Sequence, residues 1–101
     1  MRTVIESPVF QKQAAAVWSE EDYLDFTFWI SSHPDAGEVI RETDPPARKV
    51  RWKRTGSGKS AGVRVIYYYL AEDGAILLLT VYAKAARETL KASQINKLAK
   101  K

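Results

Sequence analysis

Cysteine is absent from these 101 residues, and histidine and methionine occur once each. Without cysteine there is no disulfide framework and no thiolate metal site, and the lone His33 argues against zinc. No run of about 18 apolar residues occurs and no signal-peptide pattern opens the chain, so a soluble, cytosolic protein without membrane contact is expected. Repeats, low-complexity tracts and linkers are missing as well, which leaves residues 1–101 as a single domain. Glycine (five) and proline (four) are few and confined to punctuation points. What is present is 46% hydrophobic and 11% aromatic residues, enough for one core without staples.

Charge is the most informative surplus. The net value of +4 conceals a gradient: residues 1–40 sum to −5, residues 41–64 to +6 and residues 65–101 to +3. Between Arg48 and Arg64 stand seven cations (Arg48, Lys49, Arg51, Lys53, Arg54, Lys59, Arg64) and no acid. The runs 48–54 and 63–70 alternate with a period of two, the period of strands, and a Gly-rich stretch joins them. Two such strands gather the positive charge into one patch, interleaved with Trp52, Tyr67, Tyr68 and Tyr69. That combination suits an RNA backbone and its bases.

The rest of the chain frames this patch. Thr3–Glu6 reads as an edge strand. Ser7 and Pro8 read as the cap and first position of a helix reaching about Trp18. Ser19 opens a second helix, with Glu20, Glu21 and Asp22 complementing its dipole. Tyr23, Leu24, Phe26, Phe28 and Ile30 make a broad apolar stripe, read as the face that packs on the sheet. His33 and Pro34 stop this helix, and His33 reads as a helix-end surface residue. Residues 43–47 form a rigid turn, Glu72-Asp73-Gly74 a hairpin, and Ala75–Tyr82 the most buried strand. A helix from about Leu90 to Lys101 closes the chain, with Ile95 and Leu98 inward. The expected class is α+β: a small antiparallel-rich sheet, two N-terminal helices on one face and a short C-terminal helix, in the order β-α-α-β-β-β-α.

Several segments, taken in order, resemble the RelE/HigB toxins of bacterial type II toxin–antitoxin systems, in particular the HigB-like branch. They are Glu6–Phe10, His33–Ile40, Arg48–Arg51, Gly56–Lys59, Gly62–Tyr69 and Val81–Lys84, and the similarity spans nearly the whole chain. The resemblance implies a RelE-like fold and a ribonuclease that cuts messenger RNA in the ribosomal A site. It also implies a cognate antitoxin partner, expected to be a small helix-turn-helix protein, and no cofactor. Two departures stand out: Asp44–Ala47 replaces a glycine-rich segment with leucine, and Ala85-Ala86 replaces the usual residues after Lys84.

Metal-independent RNA cleavage uses the substrate's 2′-OH against the adjacent phosphate. It requires a base for that hydroxyl, cations for the phosphoryl oxygens and an acid for the leaving 5′-oxygen. Alternation alone puts Lys49, Arg51 and Lys53 on one strand face, with Arg64 brought beside them by a paired strand. The resemblance places the same four in the catalytic concavity. Crowding by like charge lowers a lysine pKa, which makes Lys49 or Lys53 a candidate base, with Arg51 and Arg64 as the bidentate phosphate clamp. Lys84 is the candidate acid or a further clamp. Arg48, Arg54, Lys59 and Tyr68 are expected to touch RNA, Tyr68 by stacking on a base or donating a proton. The Gly56–Ser60 stretch lacks the full phosphate-loop spacing and joins two strands, so it is not a nucleotide site. Two other readings share the sequence: a ParE-like toxin acting on DNA gyrase, and a non-catalytic nucleic-acid-binding module of the same fold.

Overall fold

A computed structural model describes residues 2–43, 45–53, 62–83 and 92–99. The chain runs β1 (Thr3–Glu6), α1 (Pro8–Val17), α2 (Glu20–Ser32), β2 (Glu38–Ile40), β3 (Ala47–Trp52), β4 (Val63–Leu70), β5 (Ala75–Ala83) and α3 (Ala92–Ala99). The two N-terminal helices begin where their caps lie in the sequence. The Phe10 amide donates to Ser7 Oγ at 3.0 Å and the Asp22 amide to Ser19 Oγ at 3.1 Å. Each such cap satisfies an orphan donor and stabilises its helix by about 1 kcal/mol. Between β4 and β5 the turn is a short 3-10 segment, Ala71–Asp73, closed by Gly74 at φ 62°.

One five-stranded sheet has the order β1-β5-β4-β3-β2. Only β1 and β5 run parallel; the other pairs are antiparallel. Strand β4 divides its side chains between two cores. Val63, Val65 and Tyr67 face the first, with Phe10, Trp18, Phe26 and Ile30 of α1, α2 and the link between them. Ile66 and Tyr68 face the second, with Ala47, Leu79, Tyr82 and Ile95 of α3. Both faces of the sheet are therefore covered along β4 and β5, which accounts for the nearly unbroken apolar run of β5.

A register shift between Ile66 and Tyr67 leaves Leu79 of β5 without an opposite residue, a β-bulge. β1 ends level with Leu78, and beyond it α1 covers the open edge of β5. Ser7 Oγ donates to the Leu79 carbonyl at 2.9 Å. Gln13 Oε1 accepts from the Thr80 hydroxyl at 2.6 Å and from the Val81 amide at 2.9 Å. A helix side chain thus completes the ladder where a strand is missing, and the edge offers no template for aggregation.

Two features differ from the sequence expectation. β2 is an additional short edge strand, pairing Glu38, Val39 and Ile40 with Lys49, Arg48 and Ala47. The stripe on α2 is narrower than expected: Phe26 and Ile30 are fully buried, but Leu24 and Phe28 remain 52% and 68% exposed. A helix on a sheet buries a single stripe, and Tyr23, Phe26 and Ile30 already fill it. Among the described residues no helix is long and apolar enough to cross a membrane.

Candidate active site

The register of the sheet composes the site. In one row Glu38 of β2, Lys49 of β3 and Ile66 of β4 lie opposite one another; in the next, Arg51 of β3, Arg64 of β4 and Tyr82 of β5 do. A cavity of about 380 Å³ opens over these rows, lined by Glu38, Lys49, Arg51, Arg64 and Tyr82 with Ala36 at its margin. Three cations share it with a single carboxylate. Like charges directly opposite in an antiparallel pair repel, and Arg51 and Arg64 are so placed, Arg64 also donating to the Val63 carbonyl at 3.4 Å. An anion held between the two guanidinium groups turns that repulsion into attraction.

The loop from His33 to Gly37 holds the cavity's margin in place. The Tyr67 hydroxyl donates to the Pro34 carbonyl at 2.8 Å and accepts from the Gly37 amide at 3.0 Å. Burial pushes the Tyr67 phenol above its ordinary pKa, so it stays protonated as this donor requires. Arg48 donates through one nitrogen to the carbonyls of Asp35 and Gly37 at 3.1 and 2.8 Å. Gly37 fits because it lacks a side chain: a Cβ there would stand 2.8 Å from the Lys49 carbonyl and 3.0 Å from the Tyr67 hydroxyl. His33 stacks on Trp29 at 4.8 Å, its Nδ1 2.8 Å from the Trp29 carbonyl, at the helix end where it was expected.

Of the expected site residues, Lys49, Arg51 and Arg64 meet in the cavity. Three others stand elsewhere. Lys53 lies one residue past the end of β3, where alternation no longer governs direction, and its ammonium is 3.5 Å from Asp25 of α2. Arg48 points to the opposite face from Lys49, and its guanidinium is engaged with the loop carbonyls. Tyr68 is 4% exposed inside the second core, so its ring is closed to a stacking base. Trp52 likewise packs against Phe26 and Trp29, with ring centroids 5.4 and 5.0 Å away. Arg54, Lys59, the Gly56–Ser60 stretch, Lys84 and Ala85-Ala86 lie outside the described residues. Glu38 and Tyr82 line the cavity without having been singled out. The direct pairing of Glu38 with Lys49 depends on β2, which three residues of sequence do not reveal.

No protein-family model matches the chain. The fold is similar to that of the E. coli toxin RelE, solved as a mutant in the free state. The TM-score is 0.64 at 17% identity, over 97% of this chain and 93% of that one. It is also similar to a chain of the intact E. coli RelBE toxin–antitoxin complex. There the TM-score is 0.61 at 15% identity, over 82% of this chain and 96% of that one. Five strands in one sheet, two helices on one face and a third on the other give this chain the fold of RelE.

Proposed function

We propose that this chain is a toxin of the RelE/HigB type, of the HigB-like branch, that cleaves messenger RNA at the ribosome. The single observation that carries the reading is the direct opposition of Arg51 and Arg64, with Lys49 beside them, in one open cavity. A phosphodiester seated there has its non-bridging oxygens between two guanidinium forks, whose geometry matches them bidentately. The 2′-oxygen attacks the adjacent phosphorus, the bond to the 5′-oxygen breaks, and a 2′,3′-cyclic phosphate and a 5′-hydroxyl result. The clamp stabilises the charge that builds on the phosphoryl oxygens, and such electrostatic stabilisation dominates catalysis of this kind. Lys49 is the base or a third cation, and Lys84 the acid or a further clamp; neither metal nor cofactor is required in this scheme. The ribosome places its target in the cytoplasm. The RelBE likeness supports an antitoxin partner, of the helix-turn-helix type by the sequence resemblance. We place its contact on the basic half, where an acidic segment is attracted.

Primer extension on a translated message tests this directly. Codon-linked cuts with ribosomes present, and none on naked RNA, are expected. A ParE-like toxin or a non-catalytic module would leave the message intact in both.

A further inference from the structure

The acidic pole of the molecule carries a surface that the nuclease reading does not use. Leu24 and Phe28 lie one turn apart on the solvent side of α2, 52% and 68% exposed. Glu20 precedes them by one more turn and borders a cleft of about 420 Å³ between α1 and α2. Ala14, Ala15 and Trp18 floor this cleft, and Glu6, Glu20 and Tyr23 rim it. The Tyr23 hydroxyl donates to one Glu6 oxygen, which leaves the carboxylate's other oxygen available. The helices α1 and α2 hold four acids, Glu20, Glu21, Asp22 and Asp25, against one cation, Lys12; Asp22 is buried, so Glu20, Glu21 and Asp25 carry the exposed charge. Asp25 is met by Lys53. Carboxylates beside aromatic rings favour a guanidinium or ammonium group. From Glu20 to Phe28 the helix rises about 12 Å, about two turns, which puts three side chains in a row on one side.

The geometry points to a docking surface for a cationic amphipathic helix of a partner protein, one arginine or lysine entering the cleft and two apolar residues covering Leu24 and Phe28. The match is one of charge and spacing: a cation, then two apolar groups at single-turn intervals, the pattern of helix-in-groove recognition. The surface lies on the α1–α2 side of the sheet, opposite the side on which Lys49, Arg51 and Arg64 meet. Occupancy of one therefore leaves the other accessible, whether or not that cavity cleaves RNA.

Fluorescence anisotropy with a labelled synthetic peptide is the test. The probe is a helix of about four turns. It carries one arginine and two leucines at single-turn spacing on a lysine–alanine background. Because the protein is itself +4, net charge alone favours a glutamate–alanine version of the same peptide. We expect the reverse order, the lysine peptide binding and the glutamate peptide not. Phe28→Glu and Glu20→Lys should each weaken binding by about tenfold or more, since each removes one of the three anchors and introduces the wrong charge. Both positions face solvent, and circular dichroism checks that each variant keeps its fold. Absence of lysine-peptide binding, equal binding to Phe28→Glu, or tighter binding of the glutamate peptide would each overturn the proposal. So would a dimer in sedimentation equilibrium that Phe28→Glu dissociates, because the surface would then belong to a second copy of this chain.

Discussion

Arg64 separates stability from activity more cleanly than any other side chain in the cavity. It stands opposite Arg51 in the β3–β4 register and lines the cavity, so its removal deletes half of the proposed phosphate clamp and no core volume. Arg64→Ala should therefore lower cleavage by about 10²–10³-fold while changing stability by less than about 0.5 kcal/mol. Growth arrest and thermal melting of the same variant measure the two effects. Lys53→Ala is expected to do little to either, because its partner Asp25 is an exposed carboxylate and such pairs contribute about 0–1 kcal/mol. Tyr23 supplies the clearest pH dependence. Its hydrogen bond to Glu6, with help from burial, raises its pKa from 10.0 to about 12. The folded state thus prefers the protonated phenol. That contribution is fully present below pH 10 and is lost as pH rises towards 12. Melting temperatures recorded across this window should fall more for the wild type than for Tyr23→Phe.

Among the elements, the loop before β2 has the largest leverage for its size. Gly37→Ala forces a methyl against the Lys49 carbonyl, a backbone atom that cannot step aside. The loop, and with it Ala36 and Glu38, has to move off β3. We expect a loss of about 1–3 kcal/mol in chemical denaturation and a fall in cleavage larger than the stability loss explains. Element by element, the sequence was legible where a local rule acts. Ser7 with Pro8, Ser19, Pro34 and Gly74 mark boundaries by their own backbone chemistry, and all four boundaries stand where those residues put them. The shared face of Lys49, Arg51 and Arg64 was legible because period-two alternation holds inside a strand. Lys53 was not, since the strand ends at Trp52 and the rule ends with it. Tyr68 was misread for a different reason. Alternation separates two faces but does not say whether both are covered, and the covering residue, Ile95, is 27 positions away in sequence. Arg48 could not be assigned by alternation alone, because its partners are loop carbonyls that only the folded chain brings near.

At the scale of the whole molecule, the charge gradient of the sequence becomes a spatial one. Among the described residues, Glu20, Glu21 and Asp25 stand on α2, and Lys49, Arg51 and Arg64 meet on the far side of the sheet, which favours approach of an anionic polymer from that side. If Lys49, Arg51 and Arg64 each contact one phosphate of single-stranded RNA, log K should fall with log salt at a slope of about −2. Ribosome association measured from low to physiological salt gives that slope, and Arg64→Ala should make it shallower by about 0.7. Charge reversal at Lys53 and Arg54 should likewise weaken an antitoxin that docks on the basic half, whereas reversal at Glu20 and Glu21 should leave it unchanged. Titration calorimetry with the antitoxin distinguishes the two.

The burial of Tyr68 beneath α3 bears on what this molecule is able to read. Many RNA-binding sheets leave aromatic rings bare on their strands, and bases lie flat upon them. Here the ring in that position is roofed, and so are its neighbours Ile66 and Leu79. If the cavity of Lys49, Arg51 and Arg64 holds RNA, it grips sugar and phosphate at a rim, and Tyr68 offers no stacking platform with which to sort one nucleobase from another. Homopolymers of adenosine, uridine and cytidine of equal length should compete equally for the free protein. Any codon preference seen during translation is then a property of how the ribosome presents the message.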